Sequence, residues 1–335
     1  MLERILIVGF GSIGSRHARL AREIIPDVQI AVLRHQQCDD IPTGAIDYCF
    51  TSLDEALQFR PQAAVIANPA THHLKSALPL ANAGVHLLIE KPIASTPQGV
   101  TELIDICRAK GTVLMTAYNL RFLPALQRFR ESLDAALIGR VLSVHAEVGQ
   151  FLPGWRPGVD YRNTVSAKAE LGGGALLELS HDIDYLHWLF GDIQWVSAFL
   201  RTQSDLEIDV EDTALLTLGF TGRNGVKSLI ATLNVDFVRH DSTRTCVAIG
   251  ETGTLRWNAI TGTVDLFKKG EPSWQTICVH PPKRDESYMA EWHHFINCIL
   301  QGTPPLISGQ DGLAVLNIIQ AARLSSAKRS VVETV

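Results

Sequence analysis

Gly9, Gly11 and Gly14 constrain this chain more than any other feature. They follow the apolar run Ile5-Leu6-Ile7-Val8 and precede a helical pattern from Ser15 to about residue 24. Strand, glycine-rich turn and helix form the context in which G-x-G-x-x-G signals dinucleotide binding. The first glycine permits the tight turn, the second lets backbone approach a pyrophosphate, and the third lets helix pack close to strand. A helix N-terminus then meets the phosphate charge. Gly9, Phe10, Gly11, Ser12, Ile13 and Gly14 are therefore candidate cofactor contacts.

A chain of 335 residues suits about two domains. The net charge of −5, with no basic block, argues against nucleic acid and anionic membranes as partners. A first strand near Arg4 leaves no room for a signal peptide. No run approaches the roughly 18 uncharged apolar residues of a membrane span. The six cysteines are scattered, with no C-x-x-C, and read as buried thiols in a reducing cytoplasm, with no disulfide framework or zinc site. The expected location is cytoplasmic.

Up to residue 120, strand and helix alternate. Strands are expected over 28–33, 63–67, 85–89 and 112–117, with helices over 72–83 and from Thr96-Pro97 to about 110. Ser52 and Glu55 form a capping-box pair that opens a short helix. This predicts a doubly wound parallel sheet with ligands at the carboxyl ends of its strands. From about residue 121 to 335 a second α/β domain is expected. It has helices over 124–137 and 174–190, then runs of strands joined by short turns such as 222–225, which imply a mostly antiparallel open sheet. Two helices close the chain, near 286–300 and 310–328, and the last is expected to pack back on the first domain. A sheet covered on one face leaves apolar surface for another copy of the chain, so a homodimer or homotetramer is expected.

The strand ends supply the candidate site. The second strand ends in Leu33-Arg34-His35, with no acid before Asp39. An acid there would bind a ribose 2′-hydroxyl, whereas an arginine suits a 2′-phosphate. The cofactor reading is therefore NADP, with NAD as the alternative. The third major strand ends in Asn68-Pro69-Ala70-Thr71-His72, and the fourth in Glu90-Lys91-Pro92. An ammonium at Lys91 can stabilise a developing alkoxide.

A second group of polar residues lies after Gly172-Gly173-Gly174. At about 100° per residue, Leu179, Ile183, Leu186 and Phe190 make an apolar stripe, with His181 nearly opposite. Asp184 lies within about 60° of His181, and Glu178, Asp182 and Tyr185 share an adjacent face. Polar groups this dense beside Trp188 suggest a cleft wall. A histidine there can act as a general base near neutral pH, with Asp184 orienting it or bonding a substrate hydroxyl.

Together, GFGSIGSRHAR, NPATHH, EKP, YNLRFLP and GGGALLELSHDIDYLHWLFG resemble the Gfo/Idh/MocA oxidoreductases over nearly the whole chain. The resemblance implies an NAD(P)-dependent dehydrogenase or reductase of sugars, sugar nucleotides or polyols. It implies a Rossmann domain followed by an α/β domain whose open sheet forms the oligomer interface. It places Lys91 at substrate and nicotinamide, His181 and Asp184 in the family's H-x-x-D, and Asn119 and Arg121 at the substrate. A cis peptide before Pro92 is expected. One departure stands out: many members carry an aspartate four residues before the histidine, where this chain has Leu177, and the nearest acid is Glu178.

Substrate contacts are also expected from Trp155, Arg156, Tyr161 and Arg162. Aromatic rings can stack on a sugar or base, and the arginines can bind a carboxylate or pyrophosphate. The segment is similar to the branch of the family associated with surface-polysaccharide sugars. The alternative function is a non-catalytic NADP-binding sensor on the same scaffold.

Overall fold

The computed structural model describes residues 2–35, 46–221 and 228–334. Asp39 and the turn expected at 222–225 lie outside the described residues. In chain order the first elements are β1 (Arg4–Val8), α1 (Ser12–Ile24), β2 (Gln29–Leu33), β3 (Tyr48–Phe50), α2 (Leu53–Gln58), β4 (Ala63–Ile66), α3 (His73–Asn82), β5 (His86–Glu90), α4 (Val100–Lys110) and β6 (Leu114–Ala117). There follow α5 (Pro124–Asp134), β7 (Val141–Gly149), α6 (Ala175–Glu178), α7 (His181–Phe190), β8 (Ile193–Arg201), β9 (Thr213–Phe220), β10 (Leu229–Asp236), β11 (Thr243–Gly250), β12 (Gly253–Asn258), β13 (Thr263–Lys268) and β14 (Gln275–Val279). The chain closes with α8 (Glu286–Gln301), α9 (Gly309–Lys328) and β15 (Val332–Glu333).

By contacts, the chain divides into two compact units: Met1–Tyr118 with Tyr288–Leu316, and Asn119–Ser287 with Asn317–Val335. The first is not one continuous stretch, because most of α8 and the start of α9 belong to it.

The sheet of the first unit has the order β3-β2-β1-β4-β5-β6, with every pairing parallel. Its central strands read as apolar runs because helices cover both faces, and Ile5, Leu6, Ile7, Val65 and Ile66 are all fully buried. The strand order reverses between β1 and β4, which opens a crevice at their carboxyl ends. The Ser52–Glu55 capping box forms as expected. The helix expected to open at Thr96-Pro97 opens instead at Val100, because Gly99 sits in the left-handed region (φ 81°) as its N-cap. The preceding residues are spent on a turn.

The sheet of the second unit has the order β14-β13-β12-β11-β7-β10-β9-β8-β15. Among its described residues only β7 and β10 pair in parallel. On β10, Leu229, Ala231, Leu233 and Val235 are buried, and Ile230 and Thr232 on the other face are exposed. That second face carries Phe199, Leu215 and Ile230, at 55%, 47% and 51% exposure. The register sets Phe199 opposite Leu215, and Ile230 opposite Gly219, which in turn lies opposite Trp195. The short strands β3, β14 and β15 were not expected from the sequence. They lie at or beside sheet edges, where long-range pairing rather than local pattern defines a strand.

One cysteine departs from expectation. Cys49 is disulfide-bonded, whereas Cys107, Cys246, Cys278 and Cys298 are free. Scattered spacing gives no signal for a pairing that proximity in the fold decides. Among the described residues, no helix is long and apolar enough to cross a membrane.

Candidate active site

In the first unit the expected residues gather at the carboxyl ends of β1, β2, β4 and β5. Gly9 has φ 89°, and a Cβ there would lie 2.7 Å from the Asn68 nitrogen. At Gly14 a Cβ would fall 2.1 Å from the Gly9 carbonyl oxygen, so only glycine lets α1 approach its own strand. Gly11 is the N-cap of α1, with no side-chain cap and no acid in the first turn. A Cβ at Gly11 would meet open space. One glycine makes the turn, one makes the packing, and the third keeps the helix end accessible to an anion.

Arg34 is half-buried and His35 exposed just after β2. After β4, the Asn68 amide nitrogen donates to the Ser76 hydroxyl at 3.1 Å. Its buried Oδ1 accepts no hydrogen bond among the described residues, which leaves an acceptor at the strand end suited to a ribose or amide donor. These features fit a dinucleotide along Gly9, Gly11, Asn68 and Glu90. Thr71 and His72 are exposed, and His73 is the buried member of the pair. His73 Nδ1 lies 3.0 Å from the Pro92 carbonyl oxygen, and Nε2 lies 2.8 Å from that of Asn68. Burial pushes His73 below the ordinary histidine range, against the opposing effects of the Asn68 bond and the Glu90 charge. A neutral ring carries a single proton, so it donates to one of these two carbonyls at a time. Sequence reading missed His73, although its spacing to Ala77, Leu80 and Ala81 puts it on the buried face of α3.

The Lys91-Pro92 peptide is cis, as expected. Glu90 is buried and Lys91 half-buried. Burial raises the Glu90 pKa, but the hydrogen bond from His17 and the electrostatic pull of His17 and Lys91 outweigh it and hold the group below its ordinary range.

In the second unit the predicted continuous helix over 174–190 is two helices. α6 ends at Glu178, and α7 begins at His181 after a break at Leu179 and Ser180. The helical wheel that grouped Glu178 with Asp182 and Tyr185 therefore does not hold. The glycine run has a packing cause. A Cβ at Gly173 would lie 2.3 Å from the Val165 carbonyl oxygen, and one at Gly174 would lie 2.5 Å from Glu211 Oε1. That same carboxylate oxygen accepts from the Leu176 N–H at 3.0 Å.

Most of the polar residues of α7 expected to wall a cleft are turned into the protein. Asp182, Asp184 and Tyr185 are all fully buried, and His181 and Glu178 are half-buried. Asp184 binds Arg121 through both oxygens, at 2.9 Å from Nε and 2.6 Å from Nη2. Arg121, expected at the substrate, is buried and ion-paired inside the protein. Its guanidinium also lies 5.6 Å from the Trp188 ring, with Arg130 at 4.2 Å. Asp182 pairs with Arg244 at 3.1 Å. Burial pushes Asp182 up to about 6 despite that cation. Asn119, also buried, donates to the Ser287 hydroxyl at 2.9 Å.

The segment around 155–162 shows the same division. Trp155 donates to the Gln150 carbonyl at 3.0 Å and packs edge-on to Phe237. Arg162 is ion-paired with Asp160 at 2.8 Å and with Glu207 at 3.2 Å. The Tyr161 hydroxyl accepts from the Glu207 N–H. Trp155, Arg156 and Tyr161 line a shallow pocket with Leu152 and Val159.

Residues 3–118 match the NAD-binding Rossmann fold of the GFO_IDH_MocA oxidoreductase family, and residues 130–334 match its C-terminal alpha/beta domain. The chain belongs to the Gfo/Idh/MocA oxidoreductase family. It is similar to myo-inositol 2-dehydrogenase of Thermotoga maritima, at 24% identity over 98% of both chains. It is 32% identical to the Synechocystis oxidoreductase sll0816 over 62% of this chain, a match that spans 58% of that protein. Levoglucosan dehydrogenase in complex with NADH has the same fold, with a TM-score of 0.86, 22% identity and 99% of both chains covered. A Gfo/Idh/MocA member is an NAD(P)-dependent oxidoreductase, and the glycine turn and strand ends above are the part of this chain that fits the cofactor.

Proposed function

We propose that the protein catalyses reversible hydride transfer between C4 of a nicotinamide and a carbinol carbon of a sugar, sugar nucleotide or polyol. The strand-end cradle around Gly9, Gly11 and Asn68, in a chain of this oxidoreductase family, carries the reading. Relatives named for myo-inositol and levoglucosan support a polyhydroxylated substrate. The bound nicotinamide supplies the hydride acceptor or donor. In the oxidative direction His181 takes the hydroxyl proton as the carbonyl forms, and it returns that proton in reduction. The Lys91 ammonium stabilises the developing alkoxide. Glu178 orients His181, and Asp184 holds Arg121 instead of binding substrate. Trp155 and Tyr161 offer stacking faces to a sugar ring. The exposed Phe199, Leu215 and Ile230 form the patch that a second copy of the chain covers.

For the cofactor, Arg34 favours NADP through its 2′-phosphate. Fluorescence titration with NADPH and NADH, on the native chain and on Arg34→Ala, tests this. The expected result is tighter NADPH binding, weakened about tenfold by the substitution while NADH changes little. Native preference for NADH removes the arginine argument. Failure of both to bind removes the dehydrogenase reading itself.

A further inference from the structure

We propose that His17 is a positioning residue for Lys91, acting through the carboxylate of Glu90; this rests on the assignment of Lys91 to the chemistry.

His17 lies on α1 and is fully buried, so it cannot touch substrate. Its Nε2 is 2.8 Å from Glu90 Oε1. Its Nδ1 accepts from the Trp292 indole N–H at 3.0 Å. An indole nitrogen only donates. Nδ1 therefore holds no proton, and the single ring proton sits on Nε2, directed at Glu90. Tyr288 and Trp292 each pack edge-on against the ring at 5.9 Å. In this way α8 fixes the tautomer and orientation of a histidine on α1. The other oxygen of Glu90 accepts from the Lys91 backbone N–H at 3.2 Å.

The charges agree with that geometry. Two carboxyl groups from different elements are buried close enough to influence each other, Glu90 at the end of β5 and Glu291 on α8. Neither carboxyl oxygen of Glu291 makes a hydrogen bond among the described residues. Burial, with the Glu90 charge, pushes Glu291 well above its ordinary range, whereas Glu90, the member of the pair that His17 serves, is held below its own. The other ionisable groups around Glu90 are Lys91, His73 on α3 and Tyr288 on α8, with Arg16 stacked over the Tyr288 ring at 4.8 Å.

Without the His17 donor, Glu90 is a buried carboxylate beside a second buried carboxyl, and it takes up a proton. The neutral acid grips the Lys91 N–H less firmly, so the residue loses its fixed place at the strand end.

The test uses the whole chain with its lysines reductively methylated with ¹³C, the Lys91 resonance being the one missing from Lys91→Arg. In His17→Phe the Lys91 methyl resonance at about pH 7 is expected to move from its native position, with those of the other lysines unmoved. His17→Gln, which keeps an N–H near the place of Nε2, is expected to restore it. Trp292→Phe retains His17 but removes the donor to Nδ1, and ¹⁵N spectra of its imidazole are expected to lose the single Nε2–H tautomer. If the Lys91 resonance keeps its native position in His17→Phe, the proposal is overturned. Should that variant fail to fold, an unchanged tautomer and an unmoved Lys91 resonance in Trp292→Phe overturn it instead. Neither readout requires turnover. Failure of every sugar to react therefore counts against the proposed reaction alone, and the resonance still decides the role of His17.

Discussion

The strand ends of the first unit and the histidine helix of the second carry similar densities of polar residues and use them in opposite ways. At the strand ends, Gly11 is exposed and Arg34, Asn68 and Lys91 stay half-buried. A parallel strand delivers its last residues to a rim where backbone and side chains both face outward. On α7, two of three acidic or phenolic groups turn inward to guanidinium partners: Asp184 to Arg121 and Asp182 to Arg244. A helix inside a core satisfies its polar residues against its own protein. The difference teaches that polar density marks a ligand site at a strand terminus, whereas on a buried helix it marks internal pairing unless a residue such as His181 stays partly exposed.

The comparison can be broken at its strongest point first. Lys91→Ala is expected to lower turnover of any sugar that supports activity by roughly a thousandfold, since charge stabilisation of an oxyanion is worth about 3–4 kcal/mol. NAD(P)H binding by fluorescence should stay nearly unchanged. Near-native turnover would remove Lys91 from the chemistry and make the strand ends a binding site only.

Asp184→Ala should act on stability. It leaves a buried guanidinium without its counter-charge, which costs about 3–5 kcal/mol. A melting temperature lower by roughly 6–20 °C is the expected calorimetric result. A normal melting temperature with lost turnover would instead place Asp184 with the reacting groups.

The smallest effect sharpens the same contrast. Asp182 is raised to about 6 in the folded protein, from an ordinary value of 3.8. Below the ordinary value both states hold the proton. As pH rises toward 6, the unfolded chain ionises freely while the folded one resists, so folded stability falls. Asp182→Asn removes this titration. The melting temperature of the variant relative to the native protein should therefore climb between pH 4 and pH 7. A pH-independent difference would mean that Arg244 neutralises Asp182 in full.

Much of the fold was legible because its signals are local. The glycine turn after Ile5-Leu6-Ile7-Val8, the Ser52–Glu55 capping box and the alternation of β10 are each contained in a few consecutive residues. What escaped depends on partners far away in sequence. Nothing in the segment around Gly172-Gly173-Gly174 announces that the distant Glu211 accepts from the Leu176 N–H, and nothing in the residues after it announces the break before His181. The spacing of Arg121 and Asp184, 63 residues apart, carries no hint of an ion pair. At the strand ends, Lys91 was picked out by its place after the fourth major strand and by the family resemblance, but the neighbouring His17 looked like one more residue of a helical pattern.

The composition of the first unit bears on how the chain is made. Its opening 118 residues contain the whole parallel sheet, yet the unit also includes Tyr288–Leu316. Trp292, which orients His17, and Ser308, whose carbonyl accepts from Thr116, leave the ribosome only after most of the second unit, residues 119–287, has been translated. A domain that usually folds first, as its residues emerge, must here wait for a segment made after most of its neighbour before its own packing is complete.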